Sequence, residues 1–389
     1  MPTNRNTFAH NQEKEESKPM SDKNMTMNRR NFLKDMAAGV AAAGSLSCAT
    51  NQTSDEAVTN QSGSAVQELG AISSVRGFIQ PNDLGVTLMH EHIVWLTPGI
   101  RENWPDYFDE KACLETANRK LNELPSRGIN SIVDLTPPDG GRDIELLKKI
   151  QNMTSVNLIL CTGMYYQIPL FWQFKGIDEM AAAFVKDIKE GIQGSEIKAS
   201  IIKLATDEVA GGLDEQNEKC LRAGARAHRA TGVPISTHTG PPSIGLEQQR
   251  ILRDEGVDLS RVIIGHIGDS TDTDFQKQLM DEGSIIGMDR FGIYVDEVTL
   301  TLEQRVNTIA KLCSEGYADR MILSHDHWCW HDWDFANRYP DWPLTDQNLY
   351  THIPDDVLPA LREHGVSETQ IDQMLVKNPK RIFEEQGVY

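Results

Sequence analysis

From about residue 71 onward the chain repeats one pattern: a short, almost wholly apolar run, then a longer stretch whose apolar positions recur every three or four residues. Runs that are apolar on both faces are typical of strands covered on both sides. The longer recurrence marks helices that bury one stripe. The pattern predicts a β-hairpin over 72–79, a turn at Pro81-Asn82-Asp83-Leu84-Gly85, and a first main strand from Val86. Further strands are expected at 130–135, 157–163, 200–204, 233–238, 261–266, 284–289 and 320–326. Helices are expected between them at 110–127, 141–152, 177–192, 214–230, 245–255, 273–282 and 302–315, with two more in the tail at 354–363 and 368–375. Eight βα units over about 300 residues make an α/β chain that fits a single (β/α)8 TIM barrel with a short N-terminal β-hairpin. An open doubly wound sheet shares the alternation, but no G-x-G-x-x-G follows a strand.

In such a barrel the chemistry gathers at the C-terminal ends of the strands. His90 and His92, in Met89-His90-Glu91-His92, are two apart and share one face of a strand, with Glu91 on the other. Lys203 lies near the end of strand four, in Ile201-Ile202-Lys203-Leu204. His238 closes strand five, His266 strand six and Asp326 strand eight. Imidazoles and carboxylates are ligands for Zn and similar divalent ions. Lys203 is the unusual member. A lysine in an apolar strand facing a cationic site is disfavoured as an ammonium. A neutral amine reacts with CO2 to give a carbamate, an anion whose two oxygens can bridge two metal ions. Taken singly, His-x-His is a pair of polar residues at a strand end, and Lys203 caps a strand or pairs with an acid. Their joint placement at one end of one barrel favours metal.

Charge and cysteine content narrow the picture. The formal net charge is −19 with no basic block, which argues against nucleic acid and anionic membrane surfaces as partners. The six cysteines are scattered without a CxxC pair, so they form no disulfide framework, and all but Cys48 read as buried small apolar residues. Residues 1–28 are polar and aperiodic. Arg29-Arg30 then precede a weakly apolar, small-residue segment over 36–48 that is too short to span a membrane. Residues 1–48 are therefore expected to be a twin-arginine export signal region, which places the protein in the periplasm. Ser45-Leu46-Ser47-Cys48 loosely resembles a lipoprotein box, which raises a lipid anchor at Cys48 and a membrane-anchored form. Residues 49–70 read as a flexible linker and 71–389 as the barrel domain that carries the candidate metal site.

His90-x-His92, Lys203, His238, His266 and Asp326, in that order on those strands, resemble the binuclear amidohydrolase superfamily, and within it the phosphotriesterase family. Supporting segments are Gly85-Val86-Thr87-Leu88-Met89-His90, Thr237-His238-Thr239-Gly240 and Ile264-Gly265-His266. The resemblance implies two divalent ions per subunit (Zn, or Co, Mn or Fe). His90, His92 and Asp326 would hold the more buried ion, His238 and His266 the more exposed one, and Lys203 would bridge as N6-carboxylysine. It also implies a homodimer. Arg290 in Met288-Asp289-Arg290-Phe291-Gly292, Tyr165 in Thr162-Gly163-Met164-Tyr165-Tyr166, and the aromatic loop 327–333 resemble the phosphotriesterase-like lactonases.

On that resemblance a metal-bridging hydroxide would attack a lactone carbonyl, acyl-homoserine lactones being one class of substrate. Asp326 would accept the proton, with His327 as a second relay. Tyr165 and Arg290 would orient the substrate, and Trp328, Trp330 and Trp333 would wall an apolar pocket. In the plainer reading Tyr165 packs as core and Arg290 pairs with an acid such as Asp289. Organophosphate triesters (aryldialkylphosphatase activity) or other carboxyl esters are the second class of substrate, and a non-catalytic metal-binding barrel is a third reading. No G-x-S-x-G elbow supports a serine hydrolase.

Overall fold

The computed structural model describes residues 70–207, 213–294, 299–333, 348–384 and 387–389; the expected export region, and the expected linker up to residue 69, lie outside the described residues. The hairpin forms as expected: β1 (Ile72–Ser74) and β2 (Gly77–Ile79) pair antiparallel, with Ile72 opposite Ile79. Eight parallel strands follow: β3 (Val86–Trp95), β4 (Ile129–Asp134), β5 (Asn157–Gly163), β6 (Ile201–Asp207), β7 (Ile235–Gly240), β8 (Val262–Ile264), β9 (Ile285–Met288) and β10 (Met321–Leu323). They alternate with helices α1 (Glu110–Asn122), α2 (Ile144–Gln151), α3 (Ile177–Lys189), α4 (Glu215–Thr231), α5 (Gly245–Asp254), α6 (Thr273–Asp281) and α7 (Leu302–Ser314). Aspartate or threonine caps several of these helices, as Asp143, Asp214, Asp272 and Thr301 accept from first-turn amides.

The last strand is made in two pieces. β10 extends the sheet from β9, and the chain then leaves the ladder over 324–327. It resumes as β11 (Trp328–His331), which pairs parallel with β3, Trp328 beside His92 and Trp330 beside Val94. Between the two pieces the Asp326 amide donates to the His90 carbonyl at 3.0 Å. The fold is the (β/α)8 barrel that the alternation predicts.

Two apolar layers hold it. Along β6, Ile201 faces the barrel interior while Ile202 and Leu204 face the helices; along β5, Ile159 and Cys161 face in and Leu158 and Leu160 out. The interior layer (Met89, Val133, Ile159, Ile201, Ile263, Ile285, Ile322) is continuous with Ile72 and Leu84 of the N-terminal segment and with Ile382 and Phe383 of the tail. Cys113, Cys161, Cys220, Cys313 and Cys329 are free and buried, as expected.

Element ends depart from expectation where backbone chemistry intervenes. The first barrel helix stops at Asn122 rather than 127, because Pro125 lacks an N–H and its ring would clash with the preceding turn; a separate turn, Pro125–Arg127, ends at Gly128 with φ 82°. In the tail, wide π-type turns at Ile353–Val357 and Gln373–Lys377 lead into α8 (Leu358–Glu363) and, past α9 (Glu368–Asp372), into α10 (Asn378–Glu384). The sequence pattern did not anticipate α10, which supplies Ile382 and Phe383.

Candidate metal centre

β3 carries the first two expected ligands, and simple alternation would separate them from the site. Leu88 faces the helices and Met89 the interior, so His90 should face out again. The pairing of β3 with β4 slips between Leu88 and Glu91, and the slip turns His90 inward after Met89. Glu91 then faces the helix layer and His92 the mouth. Downstream, His266 and Asp326 follow the ends of their strands in the left-handed region, with φ 61° and 56°. Non-glycine residues are uncommon there and gather at functional sites. Gly163 (φ 117°) sits where a Cβ would overlap the Lys203 carbonyl, so β5 can run this close beside Lys203 only with glycine there.

The six expected ligand residues converge. Lys203 Nζ lies 2.6 Å from His90 Nε2. Asp326 Oδ1 lies 3.1 Å from His92 Nε2 and 3.7 Å from His90 Nε2, and its Oδ2 lies 3.7 Å from His266 Nε2. His266 Nε2 lies 2.8 Å from His238 Nδ1. Carboxylates behind the rings set the tautomers. His90 Nδ1 and His266 Nδ1 donate to the two oxygens of Asp289, at 2.8 and 3.0 Å, and His238 Nε2 donates to Asp207 at 2.9 Å. The remaining nitrogens of His238 and His266 therefore face each other with lone pairs 2.8 Å apart. Such an approach is repulsive unless a cation lies between or beside them, so the donor set fits divalent metal. His90, His92 and Asp326 form one buried group able to hold an ion; His90, His266 and Asp289 form another set of the same kind.

The protonation states agree. Burial, then the nearby Lys203 amine, lowers the pKa of His90; burial lowers that of His238 to about 4; burial and Arg290 hold His266 well below its usual range. All three imidazoles are neutral at neutral pH, as a metal ligand must be. Burial works to raise Asp326, but the surrounding imidazoles, the His92 hydrogen bond and Arg290 outweigh it and hold the carboxyl well below its usual range. Burial lowers Lys203 to about 8, so an appreciable fraction of its amine is uncharged near neutrality.

Above the ligands is a cavity of about 250 Å³, lined in part by Trp95, Tyr165, Tyr166, Arg290, Trp328 and Trp333. Trp95 meets Tyr165 and Trp333 edge to face at 5.1 and 5.4 Å, and Trp328 stacks on His92 at 6.0 Å. Tyr165 Oη lies 3.4 Å from His238 Nδ1, and burial raises its pKa well above the usual value, so the phenol keeps its proton.

Three expectations are corrected. Trp330 does not line the cavity: it lies in register with Val94, which belongs to the helix-facing layer, and packs there. His327 turns behind the site, its Nε2 3.1 Å from Lys120 Nζ, and so is no relay at the mouth. Arg290 pairs with Asp269 at 2.8 Å and with Asp326 at 3.1 Å, and Asp289 is occupied by the two histidines.

Sequence reasoning missed the roles of Asp289, Asp207 and Trp95. Asp289 carried a usable signal, since it ends strand seven as His238 and His266 end theirs. Trp95 carried none, because the strand irregularity hides which side it faces.

The fold and donor set are those of a metal-dependent hydrolase acting on ester bonds. Comparison with known proteins gives the family. The phosphotriesterase family model matches residues 70–383. A phosphotriesterase homology protein of Mycobacterium tuberculosis is 45% identical over 330 residues, covering 82% of this chain and 99% of that protein. An aryldialkylphosphatase of Saccharolobus solfataricus is 38% identical over 308 residues, 78% of this chain and 96% of that protein. The solved structure of the phosphotriesterase from M. tuberculosis superposes with a TM-score of 0.74 at 44% identity, covering 82% of this chain and all of that one. The chain belongs to the phosphotriesterase family.

Proposed function

We propose that the protein hydrolyses lactones, with acyl-homoserine lactones as the leading class. The observation that carries the reading is the cavity directly above the six convergent residues, where an aromatic wall of Trp95, Trp328 and Trp333 adjoins the protonated phenol of Tyr165. An apolar acyl chain suits the wall, and a lactone oxygen suits the phenol. Bound metal ions would supply polarisation of the carbonyl and ionisation of water near neutral pH.

The chain's own residues do the rest. His90, His92 and Asp326 would hold one ion and His238 and His266 the other, with the Lys203 side chain, carried as a carbamate, between them. Formation of the carbamate joins the uncharged amine nitrogen to CO2 and releases one proton. Asp326 Oδ2 takes the proton from the attacking water. The Arg290 guanidinium, 3.1 Å from Asp326 and 2.8 Å from Asp269, holds both carboxylates in place and favours release of that proton once it has been taken up. Tyr165 Oη donates to the ester oxygen that leaves as an alkoxide.

The 38% identity with an aryldialkylphosphatase favours a second reading, organophosphate triester hydrolysis. Metal analysis paired with two substrates separates them. Under the first reading two equivalents of metal accompany faster turnover of a long-chain lactone than of an aryl dialkyl phosphate. The reverse order of rates establishes the second. Full activity in metal-stripped protein sinks both.

A further inference from the structure

Glu91 lies between two expected ligands, and the chemistry above leaves it no task. Its side chain points away from the mouth and is wholly buried. One carboxylate oxygen accepts from Ser324 Oγ at 2.8 Å, from the His325 amide at 2.9 Å and from His325 Nδ1 at 2.7 Å. The other accepts from the His327 amide at 3.1 Å. The His325 ring has one available tautomer: the Ile353 amide donates to its Nε2 at 3.1 Å, so its proton sits on Nδ1 and points at Glu91. All four donors come from 324–327, the segment where the eighth strand breaks between β10 and β11 and where Asp326 adopts φ 56°. An isolated buried carboxylate is costly, and an apolar side chain would fill this layer without that cost. What an apolar residue cannot do is accept four hydrogen bonds from a strand break.

We propose that Glu91 is a positioning residue whose carboxylate clamps the 324–327 break and thereby holds Asp326 in its left-handed conformation, aimed at His90, His92 and His266. The His-x-His run then contributes in both directions: two imidazoles toward the site, and one carboxylate backward to fix Asp326. Released from the clamp, Asp326 relaxes toward the extended backbone that a non-glycine residue prefers, and its carboxylate leaves the imidazoles. The inference rests on the metal-hydrolase reading above.

The test compares the full chain with Glu91→Gln, Glu91→Asp and Ser324→Ala. Glutamine keeps the shape but presents an NH2 either to the His327 amide or to the Ser324 and His325 donors. The metal-free proteins are titrated with Zn2+ against a chromophoric competitor, and kcat and KM are measured on the reloaded proteins. The expected result for Glu91→Gln is wild-type circular dichroism, Zn2+ affinity lower by roughly 10- to 100-fold, and a fall in kcat with KM within about twofold. Glu91→Asp recovers part of the affinity, and Ser324→Ala, which keeps three of the four bonds to Glu91 but also loses the bond that Ser324 Oγ accepts from the His90 amide at 2.9 Å, stays within about threefold of wild type. A Glu91→Gln protein that loses thermal stability but binds Zn2+ as wild type does overturns the proposal and leaves Glu91 a packing residue. Should that variant not fold, Glu91→Asp and Ser324→Ala decide: affinity falling in the order wild type, Ser324→Ala, Glu91→Asp supports the clamp, and equal affinities overturn it. Failure of the wild type itself to take up Zn2+ overturns the metal reading, an outcome distinct from failure of the clamp alone.

Discussion

At the residue scale, what separates machinery from selectivity is which atoms are fixed by carboxylates. His90, His238 and His266 each have their outer nitrogen committed to Asp289 or Asp207, so their inner lone pairs are aimed before any ligand arrives. Tyr165 is held differently, through its backbone amide, which donates to both oxygens of Asp139 at 3.1 and 2.9 Å. Its hydroxyl, 3.4 Å from His238 Nδ1, borders the cavity above the site. Tyr165→Phe is therefore expected to keep full metal content and to lower kcat on a lactone by roughly 10²-fold, with a smaller loss on an aryl phosphate, whose phenolate leaves without a proton. Equal losses on both substrates would show that the phenol only shapes the wall. The convergence of the six candidate residues was legible in the sequence because each falls at or near the C-terminal end of a strand of one barrel, a joint placement that no one of them shows alone. Asp289 was passed over because the adjacent Arg290 offered it a simpler partner, which the structure gives instead to Asp269 and Asp326.

At the element scale, the strands were legible because both their faces are buried, but their irregularities were not. The slip in β3 and the break between β10 and β11 leave no mark in the apolar pattern; they follow from pairing with β4 and with β3, which are long-range contacts. A second element-level device ties α4 to the end of the chain. His228 Nδ1 donates to the Val233 carbonyl at 2.7 Å, and its Nε2 accepts from Tyr389 Oη at 2.6 Å. The Arg261 guanidinium lies over the Tyr389 ring. Burial first, then the charge of Arg261, lowers the His228 pKa from 6.5 to about 4. A histidine depressed in the folded state contributes stability that is fully present above its unfolded pKa and is lost as pH falls toward the folded one. The melting temperature of the wild type should thus fall between about pH 6.5 and 4, and His228→Ala should flatten that slope while lowering stability at pH 7.5. The two melting curves converge as the pH approaches 4. A constant offset between them across the range would show that the imidazole does not titrate with folding.

At the scale of the whole molecule, the scaffold and the centre are separable. The interior layer from Met89 to Ile322, sealed by Ile72, Leu84, Ile382 and Phe383, lies below the ligands and contains none of them. The barrel topology was legible for the same reason: eight apolar runs suffice to specify it, whatever sits at their ends. The tail was less legible, since α10 follows a wide turn that interrupts the helical period, although its Phe383 is fully buried. Separability has a thermal consequence. A ligand that binds only the folded chain stabilises it by RT ln(1 + [L]/Kd), so chelation removes that increment without removing the apolar layers. Metal-stripped protein is expected to keep its circular dichroism and its cooperative melting, at a melting temperature lower by a few degrees, roughly 1–2 °C for each kcal/mol in a barrel of this size. If Lys203 bridges as a carbamate, as proposed, restoring divalent metal should recover activity readily in bicarbonate buffer and poorly in buffer freed of CO2, because the amine needs CO2 to become an anion. Lys203→Glu, which supplies a carboxylate without CO2, should abolish the dependence on bicarbonate even where its activity is low. Recovery at the same rate with and without CO2 would show that the Lys203 amine is never carboxylated.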